Sequence, residues 1–121
     1  MRSATEKSEG DLPVFIKWHE FLTWLFLATE RFPKKARFTL SERLIQLGLE
    51  VMEDLVEARY TKDKWRILQR ANLRLEKVRV LVRISYEQKF LSHDGYKHAM
   101  YLLHEIGSMI GGWLRQQSGA K

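Results

Sequence analysis

A chain of 121 residues, 45% hydrophobic and 30% charged, is long enough to bury one core, and its composition is that of a single globular domain rather than a disordered segment. Twenty-one Lys/Arg against fifteen Asp/Glu leave a formal charge of +6, which suggests a polyanionic or acidic partner wherever that charge is concentrated. The lack of cysteine excludes disulfides, thiol nucleophiles and thiolate metal sites, and fits a cytoplasmic setting.

Residues 1–11 (MRSATEKSEGD) mix three acids with two bases and lead into no signal-like apolar run, so they read as a flexible tail of a chain that is not secreted. The first helix is predicted over about 12–32, with Pro13 in its first turn and Pro33 as its stop. Phe15, Trp18, Leu22, Leu25, Phe26 and Thr29 fall on one face and are its expected core stripe, while Trp24 and Leu27 fall away from it. The most apolar run, Phe21 to Ala28, is too short and too closely flanked by charge to span a bilayer. A short basic joint follows, PKKARF, carrying Lys34, Lys35 and Arg37.

Thr39 and Glu42 have the spacing of a capping box at the start of a second helix, expected over about 40–60. Leu44, Leu47, Val51, Leu55 and Ala58 form its apolar stripe, and Glu50, Glu53, Asp54 and Glu57 make it acidic, mostly on a solvent face. Thr61 is the expected N-cap of a long third helix over about 62–90, and Ser92 that of a fourth over about 93–117. Ile67, Leu68, Ala71, Leu75, Val78 and Val82 are the expected core positions of the third, and Ala99, Leu103, Ile106, Ile110, Trp113 and Leu114 those of the fourth. Residues 118–121 read as a second tail. The short joints imply an all-α fold, an antiparallel up-down-up-down four-helix bundle spanning 12–117.

The charge is not spread evenly. Residues 61–90 hold nine Lys/Arg against three Asp/Glu, a surplus equal to that of the whole chain. At about 100° per residue, Lys62, Arg66, Arg70, Arg74 and Lys77 form one stripe, with Arg79 and Arg83 on another flank. Like charges four residues apart oppose helix stability, so a partner is expected to meet them. The competing reading is that the acidic second helix lies alongside and neutralises the stripe. Its charge of −3 is too small to do so fully, and Arg suits phosphate and carboxylate better than Lys. Phosphate-backbone or acidic-partner binding is the expectation, with Lys34, Lys35 and Arg37 as second-rank contacts. No aromatic platform or helix-turn-helix spacing suggests base reading.

Leu73, Val80 and Ile84 lie roughly opposite the core positions of the third helix, and with Trp24 and Leu27 they suggest self-association. Gly107 and Gly111, four residues apart in the fourth helix, suggest a close approach to a neighbouring helix or to another subunit. Catalysis is not expected. The four histidines have no ligand spacing, no Glu-x-x-His motif occurs, and no Ser or Thr has a partnered base. No metal, cofactor or small-molecule substrate is implied.

Two local runs in order, ERFPKKARFTLSERL and HEIGSMIGGWLRQ, with an Arg-rich helix between them, resemble the accessory variability determinant (Avd) of diversity-generating retroelements over about residues 12–117. Related bundles encoded by intervening sequences in ribosomal RNA genes usually carry a small-residue segment like SIPSNIAEG, where this chain reads VEARYTKDKWRILQRAN. The resemblance implies a non-enzymatic partner of a reverse transcriptase, assembled as a homopentameric barrel. It also implies contact with template RNA, with DNA as a second nucleic-acid partner, in support of mutagenic retrohoming. The contact residues expected on that basis are Arg66, Arg70, Arg74, Lys77, Arg79 and Arg83. A protein-only oligomeric adaptor that docks an acidic partner is the alternative.

Overall fold

In the computed structural model, which describes residues 12–119, the long helices are α1 (Leu12–Glu30), α2 (Glu42–Tyr60), α3 (Lys64–Glu87) and α4 (His93–Gly119). No strand occurs among the described residues. Each helix packs on its neighbour in the sequence, and α1 also packs on α4, so the four enclose one core. The expected stripes of α2 and α3 are buried throughout, as are Ala99, Leu103, Ile106, Ile110 and Trp113 of α4. Their 3.6-residue periodicity is what made them readable.

α1 is rotated from its expected setting. Val14 and Phe21 join Trp18, Leu22 and Leu25 inside, while Phe26 is exposed and Phe15 half-buried. The indole of Trp18 donates a buried hydrogen bond of 2.9 Å to the Gly48 carbonyl, which pins α1 on α2. Gly48 permits the fit, because a Cβ there would stand 2.8 Å from Leu22 Cδ1. Nothing in the period of α1 alone announces that bond.

The joints also depart from expectation. Phe32 and Ala36 turn into the core, and the Phe32 ring lies 5.5 Å from that of Phe90. A 3-10 turn (Lys34–Ala36) and a π-helical turn (Arg37–Ser41) then run directly into α2. Ser41 is itself helical, so the Thr39/Glu42 capping box has no free first turn to cap, and the Thr39 hydroxyl donates to the Ala36 carbonyl instead. α3 starts at Lys64 rather than near 62, and Thr61 accepts from the Asp63 N–H without capping the helix. The Lys64 ammonium reaches back to the carbonyls of Ala58 (2.7 Å) and Thr61 (3.0 Å), where the C-terminal end of α2 favours a cation.

α3 closes at Glu87, with Lys89 in the left-handed region (φ 68°) and the Phe90 N–H returned to the Ser85 carbonyl. Ser92 does cap α4, accepting from the Gly95 N–H at 3.0 Å. α4 continues to Gly119, past the expected start of a tail at 118. The tail expected over 1–11 and the residues 120–121 lie outside the described part of the chain.

α1 and α4 are joined by polar contacts. The Lys17 ammonium stands 3.1 Å from Glu105 Oε1, and the Tyr101 hydroxyl donates to Glu105 Oε2 at 2.9 Å. The Tyr101 hydrogen bond and then Lys17 hold the Glu105 carboxyl below its usual 4.5, while the hydrogen bond to Glu105 raises Lys17 above 10.5. A carboxyl depressed in the folded state contributes stability that is present above its unfolded value and lost as pH falls through the folded one. The raised lysine contributes below 10.5 and loses its contribution as pH rises through its folded value. In thermal melts at pH 7, Glu105→Gln is therefore expected to unfold at a lower temperature than the parent, with the gap closing as the pH is taken below 4.5.

Candidate nucleic-acid interface

The basic stripe of α3 meets the acidic face of α2. Asp54, with 1% of its surface exposed, accepts from Arg70 Nε at 2.9 Å, and Arg74 Nη1 reaches both of its oxygens at 2.8 Å. Arg70 also holds Glu57 at 2.6 Å, and Arg74 stands 3.4 Å from Glu50. Glu57, Asp54 and Glu50 recur at helical spacing on α2, so three carboxylates face two guanidinium groups. The hydrogen bond to Glu57 is the main cause that raises Arg70 above its ordinary value.

This arrangement corrects the expectation that Arg70 and Arg74 stand free for an anion; of the α2 acids only Asp54 is buried, while Glu53 and Glu57 are exposed. A buried carboxylate must be paired, and Asp54 takes both arginines to meet that requirement. The net charges of two helices hid this, because one buried acid can engage two bases.

Arg79 is likewise occupied. It lies beside Glu76 (3.2 Å), and its Nη2 donates to the Leu103 carbonyl of α4 at 3.2 Å. Gly107 provides the space, since a Cβ there would come within 2.8 Å of Arg79 Nη2 and 3.4 Å of Leu75 Cδ2. A close approach expected at Gly107 is made to α3 of the same chain. At Gly111 a Cβ would meet only Arg115 of its own helix, at 3.7 Å.

Arg66 with Asp63 (2.8 Å) and Arg83 with Glu87 (3.2 Å) form exposed pairs within one helical turn, which are weak and leave both guanidinium groups accessible. Lys62 lies ahead of α3 rather than on its stripe. Lys62 and Lys77 are exposed and have no ion pair among the described residues.

A cluster of unpaired cations lies at one end of the bundle. Between residues 31 and 43, Arg31, Lys34, Lys35, Arg37 and Arg43 oppose only Glu42. All five cations are exposed, and none has an ion pair among the described residues. Burial of Phe32 and Ala36 turns Lys34, Lys35, Arg37 and Phe38 outward, and Phe38 is 80% exposed. The Phe32–Phe90 contact brings the α3–α4 joint alongside, with exposed Lys89. A hollow of about 420 Å3 lies between the two joints, lined by Trp24, Leu27, Ala28, Arg31, Phe90 and Leu91 with Ser92 and Gly95.

Lys34, Lys35 and Arg37 were expected only as second-rank contacts, and Arg43 and Phe38 were not expected at all. The signal available was the basic residues on both sides of Pro33, but their common outward aim depends on which neighbours are buried. Such an end can hold phosphates through several cations and offer an aromatic face for stacking.

Of the apolar positions set apart for self-association, Leu27, Leu73, Val80 and Ile84 are exposed. Trp24 is half-buried, between Phe21 (5.7 Å) and His98 (6.1 Å). Among the described residues no group of three or more His, Asp or Glu could hold a metal ion, and no helix is long and apolar enough to cross a membrane.

A family model described as bAvd-like matches residues 14–117 of the chain. No curated protein matches it significantly. The matched span includes all the interactions described above.

Removing the buried acid leaves two arginines without their common partner. In chemical denaturation, Asp54→Ala is expected to cost about 2–3 kcal/mol, within the range for hydrogen bonds to charged groups and below that for a fully buried pair. Lys77→Ala, which removes no ion pair, is expected to stay within about 0.5 kcal/mol.

Proposed function

Since the chain belongs to the bAvd-like family, that is, to the accessory variability determinants, we propose that it acts in a diversity-generating retroelement as the non-catalytic partner of a reverse transcriptase. It holds template RNA by charge and stacking rather than by reading bases, works in the cytoplasm, and so supports mutagenic retrohoming. The bundle is up-down-up-down, a reading supported by its short joints and closed pattern of helix contacts. Several copies close into a homopentameric ring, in keeping with the apolar surface left on α3.

The observation that carries the nucleic-acid reading is the cluster of unneutralised cations around Lys34, Lys35 and Arg37, with Phe38 among them. Arg70 and Arg74 are excluded from this role, because an anion would have to displace Asp54 to reach them. Arg66, Arg83, Lys62 and Lys77 remain accessible along the flank and extend the positive surface. The joint end is the first contact, because five exposed cations there have no ion pair among the described residues.

Binding of template RNA should weaken steeply with salt. In anisotropy titrations, Lys34→Glu/Lys35→Glu/Arg37→Glu is expected to lower affinity at least tenfold. It should also flatten the slope of log affinity against log salt by about two, at roughly 0.7 per phosphate lost on a single strand. Phe38→Ala should weaken binding without changing that slope, since stacking releases no counterions. Retention of the reverse transcriptase in a pull-down, with no RNA affinity even at low salt, would favour the protein-only adaptor.

A further inference from the structure

The hollow of about 420 Å3 at the joint end is built by three separate elements. Trp24, Leu27 and Ala28 share a face along the last turns of α1, and Arg31 continues that face one residue past its end. The Arg31 N–H still returns to the Ala28 carbonyl at 3.1 Å, which keeps it on the helical path. Phe90 and Leu91 of the α3–α4 joint supply a second wall. Phe90 is fixed there by its N–H bond to the Ser85 carbonyl at 2.9 Å and by its ring contact with buried Phe32. The first turn of α4 completes the site, and Gly95 keeps it open. A Cβ at Gly95 would lie 3.9 Å from Trp24 Cζ2 and 3.2 Å from Ser92 Oγ, so a side chain there would crowd the indole. Internal packing therefore sets the walls.

The lining is mostly apolar, includes two aromatic rings and carries one charge, the Arg31 guanidinium. No carboxylate lines it, and Arg31 is exposed with no ion pair among the described residues. The volume is in the range of small-ligand sites, about 300–1,000 Å3, and suits an organic anion rather than a bare ion. A simple apolar carboxylate would use these walls and Arg31 but would leave the neighbouring cations idle. Lys34 and Lys35 follow Arg31 by three and four residues across Pro33, and neither has an ion pair among the described residues. Successive cations suit repeated phosphates, and aromatic walls suit a base, whose π-face stacks on Trp or Phe. Among the lining residues only Ser92 has a neutral polar side chain, and its Oγ already accepts from the Gly95 N–H. The site has little with which to tell one base from another.

We propose that this hollow holds one unstacked nucleotide of a bound RNA strand, with its base against Trp24 and Phe90 and its phosphate on Arg31. The proposal rests on the nucleic-acid reading above and adds an aromatic contact separate from Phe38. Lys34 and Lys35 then take the neighbouring phosphates of the strand.

Photocrosslinking locates the base directly. A short single-stranded RNA carrying 5-iodouridine, irradiated with the full chain, is expected to join Trp24 or Phe90, as read by mass spectrometry of the digested adduct. Ala28→Leu fills the hollow with a good helix former. It is expected to remove that adduct and to weaken affinity about fivefold or more, with an unchanged salt slope. Arg31→Gln should flatten the slope of log affinity against log salt by about 0.7, the value for one phosphate on a single strand. Ala28 is half-buried and Arg31 exposed, so circular dichroism should show parent-like helix content for both. Should Ala28→Leu not fold, the parent adduct and the Arg31→Gln slope decide. RNA that binds but crosslinks only at Phe38 would overturn this pocket while the nucleic-acid reading stands. A parent-like adduct in folded Ala28→Leu, or an unchanged slope in Arg31→Gln, would overturn it equally. Absence of RNA binding even at low salt would overturn both readings. The same adduct formed by 5-iodouridine 5′-monophosphate at the same concentration would overturn the strand as its source and leave a free nucleotide as the ligand.

Discussion

Asp54 cannot be buried as a bare carboxylate, and its neutralisation constrains the whole α2–α3 side of the molecule. A desolvated acid needs opposite charge and hydrogen bonds in good geometry, and Arg70 and Arg74 supply both from consecutive turns of α3. Because they approach from two turns, they fix the axial position of α3 against α2 as well as its rotation. Glu57 and Glu50 extend the contact by a turn in each direction. Apolar stripes alone permit neighbouring registers with modest repacking, whereas sliding this pair of helices by one turn would leave a buried charge without its partner.

That register governs what the rest of the surface can do. Using two arginines internally lowers the free positive charge along α3, where Lys77 remains without an ion pair among the described residues. More unpaired cations stand at the α1–α2 joint, where Lys34, Lys35 and Arg37 are turned outward by the burial of Phe32 and Ala36. Arg79 follows the same logic on the opposite flank, where it binds a carbonyl of α4 over the space left by Gly107. The charged face of α3 is therefore divided. Part of it holds the bundle together, and the accessible part is weakly paired or unpaired.

The elements differed in how legible they were. The core faces of α2, α3 and α4 could be read from periodicity, since a helix repeats every 3.6 residues whatever surrounds it. α1 was harder because it is apolar on several sides, so Phe21 and Phe26 compete for the interior. The choice rests on a hydrogen bond from Trp18 to a residue thirty positions away. The Thr39 cap failed because a π-helical turn continues into α2, and the Thr61 cap because α3 starts later. Ser92, where the chain does break between helices, caps as its residue type predicts. For the site, residue type and approximate location could be read, but which cations are free could not. Freedom is settled by what stands opposite on another helix.

What the linear chain determined about this protein is whatever depends on residues within a few turns of one another. That covers its helical class, most of the stripes that fill the core, the basic character of the joint and of α3, and the motifs that place it in its family. Tertiary structure decided which arginines are occupied and which aromatic residues of α1 face inward. The division has one physical cause. Hydrophobic periodicity acts within a helix, but the pairing of a buried charge is satisfied between helices, through contacts that sequence spacing does not encode.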